Sequence, residues 1–206
     1  ANAKVFDVRI EDGIVNATGV LALPTYIQPG GLPLYVTFNG ASSIGARANI
    51  HKLAAANVIT FNMNIHDTKN KVTSREEVLE MRKLPAINGY QFINADQKEL
   101  YAPKTIFLRI IRVLDYLKTR PEWNQKDLIA AGPSFGGAQA VVAAALDPQV
   151  NLCLSGAPAM CDHLGERRQQ MPGWPKLLSN SRLRKDPLVA AKAAENSAYF
   201  DVANFA

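Results

Sequence analysis

The sequence predicts an α/β domain organised on a mostly parallel sheet, and three observations carry that expectation. Two near-continuous apolar runs, Leu34–Phe38 and Val58–Met63, are separated by a small-residue loop and an amphipathic stretch, the order of a βαβ unit. A third run, Leu128–Ala131, leads into Gly132-Pro133-Ser134-Phe135-Gly136 and then into an alanine-rich helical segment. The chain has 206 residues, enough for one substantial core, and its 48% hydrophobic and 20% charged content excludes a disordered polymer. A single domain over residues 1–206 is expected, with residues 157–206 forming a helical and loop region over the active edge of the sheet.

Taken in order, Val5–Ile10 alternates apolar and polar residues and reads as a strand. Glu11-Asp12-Gly13 is a turn signal, and Ile14–Leu23 reads as a second strand pairing antiparallel with the first. Leu34–Phe38 has the composition of a buried central strand. Gly45–Ala56 follows as an amphipathic helix with Ala46, Ile50, Leu53 and Ala54 on one side, and Val58–Met63 is the next buried strand. Residues 64–97 are polar and irregular, with a short helix over Arg75–Lys83; a loop of that length inside a domain is usually functional. Lys98–Arg120 is the longest helical pattern, striped by Ile106, Phe107, Ile110, Ile111, Val113, Leu114 and Leu117, with Pro103 in its first turn and Pro121 as its stop. Gly136–Leu146 is a helix ended by Asp147-Pro148, and Val150–Ser155 is a further strand.

The motif Gly132-Pro133-Ser134-Phe135-Gly136 has the strand, sharp turn and helix context of a nucleophile elbow. With Gly and Ser each near ~7% usage, Gly-x-Ser-x-Gly arises by chance roughly 0.07 times in a chain this long. The turn raises the Ser134 hydroxyl above the sheet, and the next N–H, that of Phe135, sits at a helix N-terminus where it can hold an oxyanion. A second donor is expected from the loop after an earlier central strand. Read alone, Asn39–Ser43 is a βα turn; beside an elbow, Gly40 and Ala41 present a backbone N–H to substrate.

A base is harder to find. His51 falls on the first helix and reads as a surface or packing residue. His66 follows the Val58–Met63 strand and is expected near the pocket. His163 follows Ser134 in the chain, in Cys161-Asp162-His163, but adjacent Asp162 and His163 do not set an imidazole between acid and serine. These two are expected to shape the loop above the pocket. Two cysteines and three histidines are too sparse for a zinc site or a disulfide scaffold, and no metal or cofactor is called for. A formal charge of +5 is scattered apart from Arg167–Arg168 and Arg182–Arg184–Lys185, without an aromatic-interleaved stripe, which argues against nucleic acid. No apolar run has the length of a membrane span. Composition leaves the compartment open, with a secreted or periplasmic location favoured if a signal peptide has been removed.

Several segments together resemble the acetyl xylan esterase group of α/β-hydrolases: Phe107–Leu117, Arg120-Pro121-Glu122-Trp123, Gly132–Ala140, Ala144–Val150, Pro158–His163, Gly173-Trp174-Pro175 and Tyr199–Ala206. The resemblance implies an α/β-hydrolase fold and a serine esterase removing acetyl groups from carbohydrate. Ser134 is then the nucleophile, and the Phe135 and Ala41 N–H groups are the oxyanion donors. It also implies two further strands past the position of Phe205, carrying the triad Asp and His, so the fold is expected here without its last strands. The sheet edge so exposed leaves a homo-oligomer open. The chain departs from the family with Asn39-Gly40 for His-Gly, Phe135 for a Gln, Pro133 before the serine, and Ile65-His66-Asp67 in place of Arg-Gly-Gln. The partner expected is an acetylated carbohydrate or another small ester. The alternatives are a non-catalytic carbohydrate-binding or interaction protein on this scaffold and a serine peptidase of the same superfamily.

Overall fold

The computed structural model describes residues 3–27, 29–46, 50–72, 74–181 and 183–206. Among these, six strands form one sheet: β1 (Ala3–Ile10), β2 (Ala17–Pro24), β3 (Leu32–Phe38), β4 (Ile59–Met63), β5 (Trp123–Pro133) and β6 (Leu152–Gly156), in the spatial order β1-β2-β4-β3-β5-β6. β1–β2 and β2–β4 are antiparallel; β3–β4, β3–β5 and β5–β6 are parallel. The sheet is therefore mostly parallel with an antiparallel hairpin at one side. Every residue of β4 is buried, as expected of a strand covered on both faces, whereas β1 is largely exposed.

Among the described residues five α-helices complete the frame: α1 (His51–Ala54), α2 (Arg75–Met81), α3 (Ala102–Lys118), α4 (Phe135–Leu146) and α5 (Pro187–Ser197). α3 keeps Pro103 in its first turn and buries Ile106, Phe107, Ile110, Val113, Leu114 and Leu117, the stripe read from the sequence, with Ile111 at its half-buried margin. Its Arg109 reaches across the sheet end, donating to the backbone carbonyls of Asn16 (2.9 Å) and Ile65 (2.8 Å). That clamp holds the entry to β2 against the exit from β4. α4 is buried from Phe135 to Ala140 without a break, so it has no polar face to present; it packs on β3, β5 and β6 with α3 beside it, and α3 packs on β1 and β2.

Three expectations are corrected. β2 begins at Ala17 rather than Ile14, because the Asp12 carboxylate accepts from the N–H groups of Ile14 (2.9 Å) and Val15 (3.0 Å) and holds that stretch in a turn. The first helix is four residues long. Gly45 sits at φ 74° and the Ala46 N–H donates to Asn70 O (3.0 Å), which commits the expected start to a loop contact; residues 47–49 lie outside the described residues. Ile50 and Ala54 are buried as expected, but Leu53 faces outward at 42% exposure. β5 starts earlier than Leu128, because Leu32 pairs with Trp123 across a register shift.

The position of α4 rests on missing side chains. A Cβ on Gly132 would meet the Gly136 backbone at 2.5 Å, and one on Gly136 would meet Phe38 O at 2.4 Å. Neither neighbour is a flexible side-chain end. Gly136→Ala is expected to cost at least the roughly 3 kcal/mol at the upper end of overpacking changes, or to prevent folding. Gly40→Ala, whose added methyl would find its nearest neighbours at 4.0 Å, is expected to leave the urea midpoint unchanged. Equal midpoints for the two variants would refute this account of the elbow.

Candidate active site

β5 delivers the chain to Ser134, which sits at φ 55°, ψ −124°, a region that a non-glycine residue occupies at a cost of about 1–3 kcal/mol. The surroundings hold it there. The Ser134 N–H donates to Gly156 O (2.8 Å), and its carbonyl accepts from Ala138 N (3.1 Å) and Ala159 N (3.0 Å). The side chain is exposed, and no described side chain hydrogen-bonds to its hydroxyl. Phe135 opens α4 directly after it. No side chain caps that helix, so its first N–H groups, carrying the positive end of the dipole, remain available.

The loop after β3 lies against this turn. A Cβ on Gly40 would come within 4.0 Å of both Pro133 O and Ser134 Cβ. Three buried side-chain amides fix it. Asn39 Nδ2 donates to Asn62 Oδ1 (2.9 Å) on β4, and Asn62 Nδ2 returns to Asn39 Oδ1 (3.3 Å). Gln139, one turn into α4, donates from Nε2 to both Asn39 O (3.2 Å) and Phe135 O (3.1 Å). One amide thus ties the Gly40–Ala41 loop to the first turn of the elbow helix. The sequence marks these residues only weakly, as polar side chains inside apolar runs.

Beside Ala41 opens a cleft of about 320 Å³, walled by Tyr90 and Trp174. Both rings pack on Phe135, with centroids at 6.1 Å and 5.6 Å. Trp174 brings residues 157–206 to the elbow, as does the bond from Ala159 N to Ser134 O. The sequence gives little sign of Tyr90, which lies in the polar stretch 64–97.

The structure does not bring the histidines to Ser134. His51 is exposed on α1. His66 is 3% exposed, set edge-on to Tyr90 with centroids 4.9 Å apart, so it backs the cleft wall. Burial, helped by the Arg109 charge and opposed by a hydrogen bond to the Ala86 backbone, pushes its pKa down to about 4. His163 is fully buried, with the Ser197 backbone beside its ring. Burial lowers its pKa too, against the opposing pull of Asp201. Asp162 turns its carboxylate to Arg168. The acid next to this pair is Asp201, which accepts from Asp162 N (2.8 Å) and His163 N (2.7 Å) and so shapes the loop backbone. Of the basic residues noted in the sequence, Arg184 pairs with Glu166, and Arg182 lies outside the described residues. Among the described residues there is no cluster of His, Cys, Asp and Glu that could hold a metal ion, and no helix is long and apolar enough to cross a membrane.

A mostly parallel sheet with an exposed serine at positive φ between a strand end and a helix, beside the loop of the neighbouring central strand, defines an α/β-hydrolase. The family model for acetyl xylan esterase (AXE1) matches residues 1–206, and the chain belongs to that family. It is 30% identical over 148 residues to the acetyl esterase Axe7A of Xylanibacter ruminicola, an overlap of 72% of this chain and 33% of that protein. In fold it is similar to the acetyl xylan esterase from Paenibacillus sp. R4 (TM-score 0.82, 24% identity). It is also similar to acetyl xylan esterase 1 from Thermoanaerobacterium sp. (TM-score 0.77, 19% identity). Each comparison covers 100% of this chain and 65% of the solved one.

The buried histidines set an acid response. A histidine with its folded pKa below the unfolded value of ~6.5 leaves the unfolded state holding more protons, so stability is full above pH ~6.5 and falls as pH drops toward the folded value. For His66 the window runs from pH ~6.5 to about 4, and its full contribution is on the order of 3 kcal/mol. Urea unfolding across that window should show a smaller loss for His66→Phe than for the wild type. Parallel losses would remove His66 from the account.

Proposed function

We propose that the protein hydrolyses acetyl esters on xylan or a related carbohydrate, with Ser134 as nucleophile and the N–H groups of Phe135 and Ala41 as oxyanion donors. The observation that carries the reading is the exposed Ser134 at φ 55°, next to a Gly40–Ala41 loop that Gln139 ties to the elbow helix. Family membership supplies the ester and the sugar. In the reaction, Oγ attacks the acetyl carbonyl carbon as its proton passes to a base. The carbonyl oxygen takes the negative charge in front of the two N–H groups, and the sugar hydroxyl leaves with a proton. Water then releases acetate from the acyl-serine. Among the described residues no histidine is placed to take the Oγ proton, so the reading assigns the nucleophile and the oxyanion donors and leaves the base unassigned.

That same burial of His66 and His163 favours one other reading, a carbohydrate-binding protein without catalysis. The two separate in an assay of the full-length protein on p-nitrophenyl acetate and on acetylated xylan. The esterase reading expects turnover of both, reduced by about 10³-fold or more in Ser134→Ala. Undiminished turnover in Ser134→Ala would remove the assigned nucleophile. Binding of xylan without turnover would establish the second reading.

A further inference from the structure

We propose that Arg82 makes the cleft selective for sugars that carry a carboxylate close to the acetyl ester, as a uronic acid substituent would; the inference deepens the esterase reading and rests on it. Arg82 caps the C-terminal end of α2 and lines the cleft that begins at Ala41. The carboxylates nearest it on its own helix are engaged: Glu80 with Lys83 at 2.5 Å, and Glu77 with Lys69. No carboxylate among the described residues pairs with Arg82, so its guanidinium is an uncompensated cation on the wall of a concave site.

The rest of the lining suits a carbohydrate. Trp174, half-buried and backed by the buried Tyr90, offers ring surface to pyranose C–H groups, and the Asn88 and Gln91 amides suit hydroxyls. None of those groups is charged, so the lining as a whole does not ask for an anion; Arg82 alone does. A guanidinium meets a carboxylate through two parallel N–H···O bonds, a geometry that a neutral sugar cannot supply. The net charge of +5 points the same way, because it draws an acidic polymer toward the surface. Arg82 is then a specificity residue: it holds the substrate through its acidic group while Ser134 and the oxyanion donors act on the ester.

The test compares xylo-oligosaccharides with and without a uronic acid branch, on the full-length protein. The acetylated forms give kcat/KM, and the deacetylated forms give Kd by calorimetry, a readout that does not depend on turnover. The wild type should favour the acidic oligosaccharide by about tenfold in both, with the preference falling as salt rises. Arg82→Gln should lose the preference and keep its rate on p-nitrophenyl acetate, while Arg82→Lys should keep part of it. Equal binding of both oligosaccharides by the wild type would overturn the proposal, as would a preference that survives Arg82→Gln. So would an equal loss on acidic and neutral forms in that variant, which would make Arg82 structural. Phosphorylated sugar binding in preference to the uronic acid would identify the anion as a phosphate and overturn the carboxylate assignment. If p-nitrophenyl acetate is turned over and no acidic preference appears, this inference fails alone. If nothing is turned over but the acidic preference in Kd holds, the esterase reading fails and the anion site stands.

Discussion

The contact on which the site depends is the approach of α4 to the strands beneath it. Gly132 and Gly136 face each other with no room for a Cβ on either, and Gly136 lies on the carbonyl of Phe38. Backbone against backbone leaves the helix a single seat. From that seat the rest follows. The chain must turn sharply between Pro133 and Phe135, which forces Ser134 to positive φ. It must also start the helix beside the exit of β3, which sets Phe135 and the Gly40–Ala41 loop side by side. Gln139 then closes the arrangement with one amide donated to both segments. The strain at Ser134 persists because three backbone hydrogen bonds and the close-packed helix over-determine the turn.

What was legible in the sequence is what depends on local pattern. The central runs around Val36 and Phe61, the apolar stripe of α3 and the elbow motif each announce themselves within a few residues, since periodicity and glycine spacing are local properties. That Gly45–Ala46 belong to a loop and not to α1 was not legible, because the contact that holds them, Ala46 N to Asn70 O, joins distant positions. The same holds for the site. The turn at Ser134 and the Gly40–Ala41 loop could be placed at the strand ends from strand–loop–helix order. Asn39, Asn62 and Gln139 form their amide network only when β3, β4 and α4 meet, and a polar side chain in an apolar run does not say what it bonds to. Tyr90 and Trp174 meet over Phe135 from opposite parts of the chain.

The histidines show the limit of reading position without burial. His66 and His163 follow strand ends, where sequence order alone admits a pocket role. Burial decides otherwise: a ring with no accessible edge cannot exchange a proton with an exposed serine, and in an apolar setting it stays neutral at pH 7. Each carries at least one ring nitrogen without a partner, a cost the fold bears. For His66 the gain is a ring set edge-on to Tyr90 at the back of the cleft; for His163 it is a loop held by Asp201.

What lies against the elbow is uncharged: the amides of Asn39, Asn62 and Gln139 fix the β3 loop, and the rings of Tyr90 and Trp174 pack on Phe135. On the proposed reading, the two backbone N–H groups would meet the developing oxyanion among amides and rings that do not compete for it. Arg82 at the end of α2 lines the cleft, whereas the half-buried Arg109 and the buried Asp201 are engaged by backbone groups. On the same reading, the group that would recognise a charged substrate sits at the end of α2, and those that would stabilise the transition state sit on the elbow turn and the β3 loop. A change in what the cleft accepts can occur on α2 without disturbing the backbone geometry that Gly132, Gly136 and Gln139 enforce.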